Sequence, residues 1–448
     1  MRQGRVSPEP HPLFGPVVTA TRRLWGRNGI WPAVLLGYAC LAPRELVVDF
    51  SGAALFPYRL AAIILIPAIL TRLAARQTRF MLADGLAMFV SVWPVVSLLV
   101  NDTIGTALIT GGSQSLDFIL SYLVGRAVFQ NADDFRAFFI LMLPGLLAIG
   151  GIMAIESLSH RIILRPFIAD LVGRPVSFIY ERARFGLMRA TGPFPHPILG
   201  GVFLATVMPL AWYTFPIRQW RLLGIMASFA AIFTVSSTAV LALAVSAGMI
   251  LVNELQRKNQ LPLFKYGIIL VSFVLLALGA VSGGNPIRVF IRYFTLDPAT
   301  AFYRLLIWDY AGAEAVNHPI FGIGLRDWHR LPWMTDSVDS IWLFLAMRHG
   351  FPASVGLLAL FVLVAVSLAI RSGRLQFYDR WLFQGLAISL AASVIAGFSV
   401  HFWEGLAAWL MQLLGIGASL VAGASVRRSS IQRRHLYPAG RTAMRSAR

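Results

Sequence analysis

Phe351-Pro-Ala-Ser-Val-Gly-Leu-Leu-Ala-Leu-Phe-Val-Leu-Val-Ala-Val-Ser-Leu-Ala-Ile370 runs for twenty residues without an ionisable side chain, and its reading decides the fold. A helix of that length rises about 30 Å, the hydrocarbon depth of a bilayer. Arg371, Arg374 and Arg380 follow it, and a mostly polar stretch, 282–350, precedes it. The pattern recurs along the chain, with apolar segments near 30–48, 56–71, 80–100, 104–129, 136–158, 197–216, 220–235, 237–254, 265–282, 351–370, 381–398 and 404–424. About twelve spans follow from hydropathy. The 220–254 run stays open between two helices hinged at Ser236-Ser237 and one long tilted helix.

Composition agrees. Of 448 residues, 57% are hydrophobic and 13% charged, where a soluble domain carries roughly a quarter charged. The expected fold class is an all-α polytopic transmembrane bundle. Its single cysteine, Cys40, lies in an apolar run, which excludes an intramolecular disulfide and a cysteine metal cluster and makes a thiol nucleophile a poor candidate. No His, Asp or Glu spacing supports a metal site, and no cofactor is expected. Arg2, Arg5, Arg22, Arg23 and Arg27 lead into hydrophobic sequence without a small-residue cleavage site, so the first helix is expected to be a retained signal anchor.

Orientation follows from arginine and lysine in short loops. With twelve spans, the N-terminal tail, Arg72/Arg76/Arg79, Arg218/Arg221, Arg257/Lys258/Lys265, Arg371/Arg374/Arg380 and the tail from Arg427 all fall on one side. That side is expected to be the cytoplasm, with both termini on it. The net charge of +19 and the cluster Arg427, Arg428, Arg433, Arg434 could suggest RNA. Because the cluster flanks a span, a topology signal touching anionic lipid explains it, and no nucleic-acid partner is expected. The chain divides into spans one to nine (1–281), a large outward loop (282–350), three more spans (351–424) and a basic tail (425–448).

Two outward loops, 159–196 and 282–350, break the charge pattern. The first carries Arg161, Arg165, Arg174, Arg182, Arg184 and Arg189 against only Asp170 and Glu181; the second carries Arg288, Arg292, Arg304, Arg326 and Arg330 beside several acids. Either these pair with loop acids and lipid headgroups, or they grip an anionic ligand, since a guanidinium fork binds phosphate bidentately.

Three blocks carry a resemblance. Arg189-Ala-Thr-Gly-Pro-Phe-Pro-His196-Pro-Ile-Leu-Gly-Gly precedes a span, His318-Pro-Ile-Phe-Gly-Ile-Gly324 lies in the second loop, and Ser337-Val-Asp-Ser-Ile-Trp-Leu343 follows it. Together with Arg304 to Trp308 the chain here resembles the bacterial O-antigen ligase and Wzy-type polysaccharide polymerase superfamily, over about a third of its length. The resemblance implies a GT-C-type glycosyltransferase of the bacterial inner membrane. It would take a polyprenyl-diphosphate-linked glycan as donor and a glycan or lipid as acceptor, with its site facing the periplasm. It also implies that Arg189 and Arg304 contact the donor diphosphate, and that other polysaccharide assembly proteins are partners. The alternative for both arginines is interhelical salt bridging.

Asp339-Ser340 departs from the histidine-asparagine pair of lipid A core ligases. A carboxylate can accept the acceptor hydroxyl's proton, so a polymerase is expected ahead of a ligase, with a flippase of lipid-linked glycan as the competing class. A flippase would show internal repeats and polar mid-span residues, and no convincing repeat is present. Asp339 could instead cap the helix starting near Ser340. The expected catalytic set is thus Asp339, Arg304 and Arg189, with Arg182, Arg184, His196, His318, Arg326 and Trp342 as substrate-binding candidates. His196 and His318, each before proline, equally suit backbone hydrogen bonding; Trp342 equally suits an interfacial belt; Gly322 and Gly324 suit tight backbone approach. His401 and Glu404 could line the same cavity. Short amphipathic helices are expected around 301–315 and 342–348, the first turning Arg304 towards the cavity.

Overall fold

The computed structural model describes residues 15–25, 29–50, 53–76, 79–176, 183–215, 217–259, 298–375 and 377–436. Their regular secondary structure is helical apart from two short antiparallel hairpins, Val48–Phe50 with Ala53–Leu55 and Ala183–Arg184 with Leu187–Met188. The helices are α1 (Gly15–Leu24), α2 (Trp31–Cys40), α3 (Pro57–Ile64), α4 (Ile66–Arg76), α5 (Leu82–Asn101), α6 (Ile104–Thr106), α7 (Gly112–Val128), α8 (Ala132–Ser159) and α9 (Leu164–Val172). They continue with α10 (Pro197–Thr214), α11 (Arg218–Phe229), α12 (Ser237–Asn259), α13 (Pro298–Asn317), α14 (Ile341–His349), α15 (Phe351–Ser372), α16 (Phe377–Ala396) and α17 (Glu404–Leu436).

Among the described residues six helices are long and apolar enough to cross a membrane: α5, α8, α10, α12, α15 and the Glu404–Gly423 part of α17. A seventh arises if α3 and α4, bent by 45°, form one span. The chain is therefore an all-α, membrane-embedded protein. Fewer than twelve helices qualify, for local reasons. The 30–48 run yields only the ten residues of α2, because Pro43 and the polar 3-10 turn Arg44–Leu46 end it. The 104–129 run is interrupted by a π-helical turn at Ala107–Gly111, and 220–254 is two helices, one of its two open readings, of which α11 keeps only 12 residues before the 3-10 turn Ala230–Thr234. The 265–282 run lies outside the described residues.

Side chains start the long helices. Asp84 accepts the Met81 N–H at 2.9 Å ahead of α5, and Asn131 accepts from Asp133 and Asp134 N–H at 3.0 and 3.1 Å ahead of α8. The spans α10 and Glu404–Gly423 are buried along 89% and 94% of their lengths, so they form the centre of the bundle. Trp409 packs there on Phe138 and Phe203. Gly125 of α7 and Gly415 of α17 let the two backbones nearly touch, since a methyl group at either would overlap the other helix.

Polar links sort the loops into two ends. At one end Arg23 binds Asp134 at 2.7 Å, Arg136 binds Asp379 at 3.0 Å, and Ser419 donates to Phe129 O, which brings α1 and the later part of α17 together. At the other, Arg165 meets Glu45, Arg44 meets Glu404 at 3.2 Å, and Asn101 donates to Phe321 O at 3.0 Å. Residues 298–350 sit at this second end with a core of their own, built on Ile307, Ala311, Trp328, Met334, Val338 and Met347. Helices stand where short ones were expected, α13 and α14, but α14 is buried nearly all round rather than amphipathic.

Candidate active site

α13 places Arg304 on its buried face with Ala301, Ile307 and Ala311, leaving the guanidinium enclosed (7% exposed). Arg304 Nε points at Asp339 Oδ2 across 3.5 Å, and Nη2 reaches Thr238 Oγ1 at 3.4 Å. Both are longer than the 2.7–2.9 Å of a full charge-assisted bond. Thr238 shares a hydrogen bond of 3.1 Å with Ser399. Neither residue was singled out from the sequence, although the Ser236-Ser237-Thr238 run between two apolar segments was its visible trace.

Arg189, 4% exposed, comes from the turn before α10 and donates through Nε to Thr234 O at 3.4 Å. That carbonyl ends the 3-10 turn, and the next residue, Val235, has φ +45°. For a β-branched residue this is strained backbone; the break sends α12 off from Ser237 with its N-terminus beside Thr238. His196 caps α10, its Nδ1 accepting Ile198 N–H at 3.2 Å.

The four groups share one environment. Burial, then Arg189 and Arg304, push His196 down to about 4, so its ring is neutral near pH 7. Burial raises the Asp339 carboxyl above the ordinary value, while Arg304 and then Arg189 pull it part of the way back. Asp339 is crowded by protein, yet 39% of its side-chain surface is open. Both hold for a group on the wall of a recess.

Asp339 does not cap α14. Ser340 does, its Oγ accepting Leu343 N–H at 3.3 Å and donating to Gly397 O at 2.9 Å. The carboxylate one residue earlier is left for the recess. Arg184 donates to Thr300 Oγ1 at 3.0 Å; Thr300 and Arg304 are four apart on α13, so Arg184 stands one turn away on the same face.

The other candidates lie elsewhere. Arg182 is outside the described residues. His318 sits at the exposed end of α13, 3.9 Å from Glu314. Arg326 ties its loop to α5 by donating to Asn101 Oδ1 at 2.9 Å. Trp342 is core, donating to Val394 O at 3.1 Å and packed on Phe361 and Phe402. The His318–Gly324 block clamps the end of α14, with Ile323 and Gly324 N–H donating to Met347 and Arg348 O at 2.9 and 3.0 Å. Gly322 and Gly324, both at φ +64°, permit that approach. His401 stacks on Phe344 with centroids 3.9 Å apart, and Glu404 is engaged by Arg44. Among the described residues no cluster of His, Cys, Asp and Glu could hold a metal.

Two guanidinium groups stand near one carboxylate and a neutral imidazole, so the charge balance here favours an anion. The fold and site define a membrane-embedded helical protein with a buried cationic recess at one end of the bundle. Compared with protein-family models and with curated proteins, the chain matches none.

Proposed function

We propose that the chain is a glycosyltransferase of the O-antigen ligase and Wzy-type polymerase superfamily that polymerises polyprenyl-diphosphate-linked repeat units into O-antigen, capsule or exopolysaccharide. The observation that supports this most is the meeting of Arg189, His196, Arg304 and Asp339, drawn from separate stretches of sequence, in one recess. In the proposed reaction the acceptor sugar hydroxyl attacks the anomeric carbon of the donor glycan. The bond from that carbon to the lipid diphosphate breaks, and its electron pair leaves with the diphosphate. Arg189 and Arg304 stabilise the charge growing there. Asp339 takes the hydroxyl proton; burial raises its pKa, which strengthens the carboxylate as a base. The proposal places the recess on the periplasmic side of the bacterial inner membrane, with twelve spans and both termini cytoplasmic. The distribution of arginine over the short loops supports that orientation.

The test uses purified protein in liposomes with a synthetic lipid-diphosphate repeat unit, products being sized by gel and mass spectrometry. Lipid-linked chains of several repeats are expected. Transfer only to a different lipid acceptor would replace this reading with ligation, and movement across the bilayer without a new bond would replace it with flipping. Reporters fused after Arg434 and within 298–350 should read cytoplasmic and periplasmic, and reversal of either overturns the orientation.

A further inference from the structure

We infer that Glu156, together with Ser157, is a positioning element that sets Arg189 against the donor diphosphate; this rests on the reading that Arg189 contacts that group. Glu156 is fully buried in the last turn of α8. A carboxylate there meets the negative end of the helix dipole and the cost of charge in a membrane helix. Among the described residues no cation pairs with it. Four backbone N–H groups hold it instead. Oε1 accepts from Ile163 and Leu164 at 3.0 and 3.1 Å, and Oε2 accepts from Thr191 and Gly192 at 3.1 and 2.9 Å.

Those bonds bracket Arg189. Ser157 Oγ donates to Met188 O at 2.8 Å on one side of it, Glu156 takes the two N–H groups on the other, and Ala190 N–H between them donates to Phe233 O at 3.0 Å. Gly192 turns at φ +53°, where a methyl group would come within 2.9 Å of Met153. The same carboxylate fixes the start of α9, from which Arg165 donates to Pro195 O at 3.4 Å beside His196. Glu156 therefore holds the middle of the stretch that carries Arg189 and His196 directly and its far end through α9 and Arg165, while Ser157 holds the near end. Glu156→Gln keeps the shape but places an NH₂ against one pair of N–H donors.

Full-length protein in liposomes supplies the test, with donor titration and with geranyl diphosphate as a soluble probe. Glu156→Gln should lower kcat/KM for the lipid-linked donor by about 10²-fold, as a displaced group does, and weaken geranyl diphosphate binding, while the acceptor KM holds. Because Glu156 acts through Arg189, the double variant Glu156→Gln/Arg189→Ala should be no worse than Arg189→Ala alone. Multiplied losses in the double variant, or a loss matched by the drop in folded protein, overturn the inference. If Glu156→Gln fails to reach the membrane, Ser157→Ala removes one anchor only and should cost roughly 3- to 10-fold in donor kcat/KM; unchanged donor kinetics there overturn it equally. Geranyl diphosphate binding separates the two failures. Binding weakened by Arg189→Ala but not by Glu156→Gln defeats the positioning role alone, whereas binding indifferent to Arg189→Ala defeats the diphosphate reading as well.

Discussion

Arg165 reaches Glu45 through two bonds of 2.9 and 2.6 Å, with both side chains sealed from solvent. Arg304, at the same end of the bundle and almost as enclosed, reaches Asp339 only across 3.5 Å, and Asp339 opens into a recess. From sequence the two arginines look alike: each is a cation in an outward loop. Geometry separates them. The first pair is tight, with two short bonds from Arg165 onto Glu45 Oε1, so its charges neutralise each other and serve the fold, although Glu45 Oε2 is buried without a partner among the described residues. The second is slack, and a guanidinium has five donors, of which Arg304 spends few and at long range. A slack pair can exchange its partner for a ligand; a tight one cannot without exposing a buried charge.

The sharpest way to break this contrast is Asp339→Asn. Asparagine preserves shape but cannot accept the proton, so transfer should fall by about 10²- to 10⁴-fold, with membrane level and melting temperature unchanged. An active asparagine variant would remove Asp339 from the chemistry. The pH profile carries the same information. The base form is lost as pH falls, so kcat/KM should decline on the acid side with a midpoint above the ordinary carboxylate value. His196, near 4, should add no limb around neutrality. A limb that survives Asp339→Asn would point to a different base.

Arg304→Lys and Arg189→Lys come next. Lysine keeps the charge but loses the fork, and the expected loss is about 10²- to 10³-fold in donor kcat/KM. Near-normal product length in both would make the slack pair structural after all. Glu45→Gln probes the tight pair. It strands Arg165 and should cost about 3–5 kcal/mol of stability, read as a lower melting temperature and less protein in the membrane, with kcat of the surviving protein nearly unchanged. A selective loss of kcat at full stability would place Glu45 in the mechanism and erase the contrast.

How much of this is legible in the sequence depends on the kind of residue. The long apolar runs read directly as α5, α8, α10, α12, α15 and α17, because bilayer depth leaves little choice. What failed was local punctuation. Pro43 cuts α2 short. The hinge at Ser236-Ser237 is one of two open readings and is the one found, while the strain at Val235 beside it belongs to tertiary packing, which hydropathy does not sense. In the site, resemblance picked out Arg189, Arg304, His196 and Asp339, and these meet. The blocks that carry them also hold residues serving the fold: Gly322 and Gly324 against α14, Trp342 in the core, Arg326 on α5. Glu156, Thr238 and Ser399 are not legible because each lies within or beside an apolar run and its partners are backbone groups or residues far along the chain. Only a buried carboxylate in a span's last turn could have drawn attention to Glu156.

The smallest predicted effect gives the finest discrimination, because it compares neighbours. Ser340 and Asp339 are adjacent, and either could have capped α14. The structure gives the cap to Ser340, whose Oγ holds both Leu343 N–H and Gly397 O. Ser340→Ala should therefore cost about 1 kcal/mol, seen as a modest drop in melting temperature, while transfer per folded molecule stays near normal. Ser340→Thr keeps a hydroxyl cap and should recover most of that stability. Asp339→Asn should show the inverse pattern, with full stability and no transfer. Opposite results in the two variants would mean that the carboxylate serves the helix and the hydroxyl serves the reaction, and the slack pair would then have to be redrawn around Arg304 and Ser340.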